Sequence, residues 1–253
     1  MELIHNYNIT VFGDSVTKGL YLENNKIMKI NPSAVERITA CLGLNIENKS
    51  IFGQTLKRLC EKEIIDEYLK TIDPLQKNMA VISLGGNDSD YNWDEVQETP
   101  LSQHNSKTGL LEFRVLLNDA ISKLQDAGVK VVVCSLFPID SKRYYENVLS
   151  KKYDGSKILK FLRGDVTNIS RHQEIFNIEC LKTALRRGCE FLDFRTQFLN
   201  QEELLQYVCD DGIHPNEKGQ QLMADIVVNK ICEYQKCGLL VPKLKYNCIG
   251  KIG

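Results

Sequence analysis

Met79-Ala-Val-Ile-Ser-Leu84, followed at once by Gly85-Gly86-Asn87-Asp88, decides the fold class of this 253-residue chain. Six residues without a charge make a segment of strand length with no alternation of polar and apolar positions. Such a run suits a strand covered on both faces, the situation of a parallel sheet between helices. Downstream, Phe113, Leu117, Ile121 and Leu124 recur at helical spacing as far as Gly128, and a second buried run, Val131-Val-Val-Cys-Ser-Leu136, ends at Pro138. Upstream, Asn8-Ile-Thr-Val-Phe12 reads as the first strand. A helix is expected from Pro32, with Asn31 as its cap and Val35, Ile38 and Leu42 on one face, ending at Gly43. Residues 44–47 read as a strand, and 55–69 as one helix carrying Leu56, Cys60, Ile64 and Tyr68. A helix over about 169–187, a strand at 190–194 and a last helix opening at Pro215, with Leu222, Ile226 and Val227 inward, complete the pattern. Five strands alternating with helices predict a three-layer α/β/α fold on a parallel sheet joined by right-handed crossovers, whose ligands bind beyond the strand carboxyl ends.

The length suits one domain, expected over 1–236, with a charged, tyrosine-rich insertion at about 140–165 and a peripheral extension over 237–253. Lys and Arg number 32 against 33 Asp and Glu, so the net charge of -1 offers no field to gather nucleic acid or anionic lipid. No partner of either kind is expected, and the sequence leaves the oligomeric state open. Nine cysteines are scattered without a CxxC pair, which argues against a disulfide framework or a zinc site. Neither a signal peptide nor a transmembrane run is visible, so a cytoplasmic location is expected.

Four strand ends collect polar residues that a core does not need: Gly13-Asp14-Ser15, Gly53, Gly85-Gly86-Asn87-Asp88 and Asp211-Gly212-Ile213-His214. Taken singly, each has an ordinary explanation. Gly-Asp-Ser is a common turn, Gly53 a position without Cβ, and a histidine before a helix is more often a surface residue. Taken together they supply a serine nucleophile, amide donors for an oxyanion and an Asp-His pair. Asn87 offers a donor that does not titrate, and Asp211 lies close enough in sequence to hold His214 by Nδ1 while Nε2 faces the nucleophile. His5, His104 and His172 have no aspartate in a comparable strand-end loop.

In order and spacing the four segments resemble blocks I, II, III and V of the SGNH or GDSL-type hydrolases, and the resemblance covers about Asn8 to Tyr234. It implies a flavodoxin-like fold, Ser15 as nucleophile, His214 as base and Asp211 as its orienter. It also implies an oxyanion hole from the backbone of Ser15 and Gly53 and the side chain of Asn87. Block I departs from the family name, because Val16 stands where leucine is expected.

The expected reaction is hydrolysis of a carboxylic ester in a small molecule through an acyl-enzyme, with no cofactor and no metal. Acyl transfer and thioester hydrolysis would use the same residues; a silent binding module is the alternative from another class. No HExxH or clustered ligand set favours a metal hydrolase, and no Gly-x-Ser-x-Gly elbow points to the α/β-hydrolase fold. Tyrosine and tryptophan interleave with charges at 90–95, 141–146 and 151–154. That composition favours a short acyl group on a polar alcohol such as a sugar, with Asp14, Trp93 and Tyr144 as candidate substrate-binding residues.

Overall fold

A computed structural model describes residues 4–23 and 26–236 of the chain. Five strands, β1 (Tyr7–Gly13), β4 (Ile46–Asn48), β5 (Lys77–Ser83), β6 (Lys130–Cys134) and β7 (Glu190–Leu192), form one sheet in the order β4-β1-β5-β6-β7. Every pairing is parallel. Side chains alternate between two buried faces. Phe12, Ala80, Ile82, Val131 and Val133 enter a core shared with helices Leu56–Glu61, Ile64–Thr71, Leu110–Asp126 and Asn168–Arg187. On the other face Ile9, Met79, Val132 and Cys134 meet helices Ala34–Leu42 and Glu217–Lys236. This two-sided burial is why the strand at 79–84 carries no polar stripe. The expected three-layer α/β fold with five parallel strands is the fold observed.

Some boundaries differ from expectation for a local reason, and one pair of strands was not expected. Helix Ala34–Leu42 is capped by Ser33, not Asn31, because the Ser33 hydroxyl accepts from the Glu36 N–H while Glu36 reaches back to the Ser33 N–H. The helix read at 55–69 is two helices, broken where Glu63 adopts a φ of 51°. The last helix begins at Glu217, not Pro215, since Pro215 pairs with Val208 in an isolated bridge and Asn216 accepts from the Gly219 N–H. An antiparallel hairpin, β2 (Leu20–Glu23) with β3 (Lys26–Lys29), stands apart from the main sheet and was not expected. Both its strands are short, and β3 is exposed throughout, so no core-facing alternation announces it.

The segment read as an insertion forms short helical turns, Ser141–Tyr144, Ser150–Lys152 and Gly155–Phe161, and packs on helix Trp93–Glu98. Trp93, Val96, Tyr144, Leu149 and Ile158 make a separate apolar cluster there. The extension expected over 237–253 lies outside the described residues.

Candidate active site

Ser15 opens the short helix Ser15–Lys18 directly after β1, with Asp14 as its N-cap: the Asp14 Oδ1 accepts from the Val16 N–H at 2.9 Å. His214 and Asp211 arrive on the loop before the last helix. His214 Nε2 lies 2.8 Å from Ser15 Oγ, and Nδ1 lies 2.6 Å from Asp211 Oδ2. With Nδ1–H donating to the carboxylate, Nε2 presents its lone pair to the serine hydroxyl. The three residues are thus one hydrogen-bonded chain, buried at 5%, 4% and 3% exposure, where water does little to screen it.

Four donors converge on the Asp211 carboxylate. Oδ1 accepts from the backbone N–H groups of Ile213 and His214, and Oδ2 from His214 Nδ1 and the N–H of Leu22. Burial works to raise its pKa, but the bond and charge of His214 and the N–H groups of Leu22 and Ile213 outweigh it and hold the group below its ordinary value. Phe52 stacks over the His214 ring at 6.3 Å between centroids. The spacing of the Asp-His pair was legible; Leu22 and Phe52 were not, because nothing in a backbone amide or a lone phenylalanine marks them.

Gly53 and Asn87 come from the turns after β4 and β5. Gly53 has a φ of 68°, a region that favours glycine, and among the described residues its N–H has no hydrogen-bond partner. Asn87 donates from Nδ2 to Asp14 Oδ2 at 3.1 Å. A buried acceptor, to which the sequence reading gave no role, joins the two turns. Asp88 is fully buried and accepts from the N–H of Leu56 at 2.9 and 3.0 Å and from the Thr108 hydroxyl at 2.6 Å. It therefore ties the helix that follows Gly53 to the loop that carries Asn87. Burial raises its pKa against these hydrogen bonds.

A cleft opens beside Ser15, lined by Asn87, Asp90, Tyr91, Phe137, Tyr144, His214 and neighbouring residues. The three candidate substrate-binding residues fare differently. Asp14 lines the cleft, yet its two oxygens are already engaged by Val16 and Asn87. Tyr144 lines it with its hydroxyl 3.3 Å from both Asp90 oxygens. Trp93 is not brought to the wall; it is 4% exposed inside the cluster under the cleft, and its indole N–H donates to Asp90 Oδ1 at 2.8 Å. Among the described residues no group of His, Cys, Asp or Glu could hold a metal ion, and no helix is long and apolar enough to cross a membrane.

A parallel α/β/α sheet with serine, glycine, asparagine and histidine gathered at its carboxyl edge defines an SGNH-type hydrolase. The chain belongs to the GDSL-like Lipase/Acylhydrolase family, whose model matches residues 11–222. Among solved structures, the lipase/acylhydrolase from Enterococcus faecalis superposes with a TM-score of 0.61 at 18% identity, covering 93% of this chain and 97% of that one. A psychrotrophic esterase from Pseudoalteromonas, solved with monoethylphosphonate as inhibitor, gives 0.53 at 16%, with coverage of 91% and 99%. An acetylxylan esterase from Geobacillus stearothermophilus, solved as a catalytic mutant, gives 0.57 at 15%, with coverage of 88% and 93%. At these identities the likeness is one of fold. No curated protein matches the chain.

Proposed function

We propose that the protein is a serine esterase that cleaves a carboxylic ester through an acyl-enzyme. The observation that carries this reading is the buried chain from Ser15 Oγ through His214 to Asp211, with contacts of 2.8 and 2.6 Å. A serine hydroxyl is a poor nucleophile unless a base takes its proton as attack proceeds, and Nε2 is placed to take it. As the Oγ–carbonyl bond forms, negative charge collects on the carbonyl oxygen. The N–H groups of Ser15 and Gly53 and the free N–H of the Asn87 amide are the donors available to it. Asn87 Nδ2 carries two hydrogens; Asp14 holds one, which fixes the amide and leaves the other for the oxyanion. Collapse passes the His214 proton to the departing alcohol. Water then repeats the attack on the acyl-enzyme, with His214 again the base and Ser15 Oγ the leaving group.

Within this reading the favoured substrate is a short acyl group, such as acetyl, on a polar alcohol. The fold neighbour that acts on acetylxylan and the polar wall formed by Asp90 and Tyr144 support it.

Ser15→Ala is expected to abolish turnover of p-nitrophenyl acetate, and a fluorophosphonate should label the wild type at Ser15 alone. Turnover retained by Ser15→Ala overturns the proposal. Product analysis with an added alcohol or a thioester substrate reports whether water is the acceptor and oxygen the leaving atom.

A further inference from the structure

We infer that the hairpin β2–β3 is a strap that positions Asp211 through the backbone N–H of Leu22, making Leu22 a positioning residue for the Ser15–His214–Asp211 chain. The inference rests on the catalytic reading above. It begins with the count of donors at the carboxylate. Two carboxylate oxygens present about four lone-pair sites, and four donors occupy them. Three come from the carboxylate's own loop, Ile213 and His214. The fourth, Leu22 N–H at 3.0 Å, comes from 189 residues away. It falls on Oδ2, the oxygen that also holds Nδ1. Loop geometry alone can orient Oδ1, but Oδ2 has one further restraint, and the hairpin supplies it.

The hairpin's register leaves this N–H free for the task. In an antiparallel pair, residues directly opposite alternate between those that exchange hydrogen bonds across the ladder and those whose N–H and C=O point outward. Ile30 donates to Gly19, so Tyr21 with Met28 is the next bonded pair, and Leu22 opposite Ile27 turns its N–H away from β3. Without Asp211 that donor would face outward with no ladder partner.

The covalent path gives the arrangement its purpose. Helix Ser15–Lys18 ends at Gly19, whose φ of 72° turns the chain straight into β2. The strand that touches Asp211 is therefore continuous with the helix that carries the nucleophile. Ser15 and Asp211 are linked twice: once through His214, and once through seven residues of backbone and the Leu22 N–H. A change in Asp211 position that did not move Ser15 would have to break this second link.

Proline at position 22 removes the N–H without removing a ladder bond. For Leu22→Pro we expect the rate of fluorophosphonate labelling of Ser15, and kcat on p-nitrophenyl acetate, to fall about tenfold or more with KM little changed, as for loss of a hydrogen bond to a charged group. In the Asp211→Ala background the same substitution should cost nothing further in labelling rate. An equal loss in both backgrounds would show a general effect of the hairpin and overturn the proposal, as would an unchanged rate in a folded Leu22→Pro protein. Should Leu22→Pro not fold, amide exchange on the wild type decides. The Leu22 N–H should be protected, and should exchange much faster in Asp211→Ala. Fast exchange in the wild type sinks the inference. Because this measurement reads no activity, it stays separate from the test of Ser15, whose failure would remove the catalytic reading and leave the hydrogen bond standing.

Discussion

Asn87 and Asp14 show how one pair of residues sets both an expected rate and an expected pH dependence. Asn87→Ala should fold normally and lose kcat by about a hundredfold with KM nearly unchanged, the usual consequence of deleting one oxyanion donor. A raised KM at intact kcat would reassign Asn87 to substrate binding. Asp14, which holds that amide, has its pKa pushed up to about 6. Burial is the main cause, opposed by the Val16 N–H and the charge of His214, with Asp88 nearby adding to the rise. The folded value lies above the ordinary 3.8, so the native protein holds more protons than the unfolded chain between the two. This group's contribution to stability therefore grows as pH falls from about 7 to about 4, and is lost as pH rises through the folded value. Asp211 acts in the opposite sense: its lowered pKa gives stability above its unfolded value that is lost in acid. Comparing the unfolding free energy of wild type and Asp14→Asn at both ends of that range isolates the first effect. The wild type should gain on the order of 3 kcal/mol relative to the variant at the acid end. A pH-independent difference would mean Asp14 is not held near neutrality. Asp14 was visible in the sequence as part of Gly-Asp-Ser, but its engagement with Asn87 was not, because the two meet across 73 positions of chain.

At the scale of elements, the strands at 79–84 and 131–136 were legible because burial on both faces leaves an unbroken apolar run. The hairpin was not, because its exposed strand has no face to bury and hence no period to detect. Short helices escaped for a related reason. The turns at 141–161 pack through a few aromatic and aliphatic side chains scattered among charges, which reads as a loop until the cluster around Trp93 and Tyr144 is seen. One glycine joins this segment to the loop that carries Asp211 and His214. Gly212 has a φ of 76°, and a Cβ there would stand 2.5 Å from the Asp140 carbonyl oxygen and 2.6 Å from the Tyr144 nitrogen. Its own carbonyl accepts from the Asp140 N–H at 2.8 Å. Gly212→Ala must push the 140–144 segment away or distort the loop that carries Asp211 and His214. Adding the left-handed backbone cost to overpacking predicts a loss of about 2–4 kcal/mol in stability, with activity falling more steeply than the folded fraction. A variant with unchanged melting temperature and kcat would show that the contact is slack.

The whole molecule encloses Ser15 between the carboxyl edge of the sheet, the loop after β5 and the helical segment after β6, and this enclosure bears on substrate size. The lining of the cleft combines Phe137 and Ile139 with Tyr144 and Asp90. Asp90 is a fixed carboxylate, held by the Trp93 indole, the Tyr144 hydroxyl and an ion pair with Lys107 at 2.8 Å. A long acyl chain laid along that wall would strip water from this charged group and return no polar contact, which is costly, whereas a hydroxyl-bearing group could donate to it. Hydrolysis across p-nitrophenyl esters of increasing chain length should therefore be fastest at the short end, and a maximum at long chains would reject the polar-substrate reading. Release of acetate from acetylated saccharides would identify the alcohol, and Asp90→Asn should weaken it through KM while leaving p-nitrophenyl acetate turnover close to wild type. Trp93 tests the distinction between support and contact. Since it lies in the cluster beneath Asp90, Trp93→Ala should cost about 3–5 kcal/mol of stability, and the loss on saccharide and aryl esters should be equal once corrected for folded protein. A selective loss on saccharides in a fully folded Trp93→Ala protein would mean that the indole meets the sugar directly and that the cleft opens further in solution than its walls indicate.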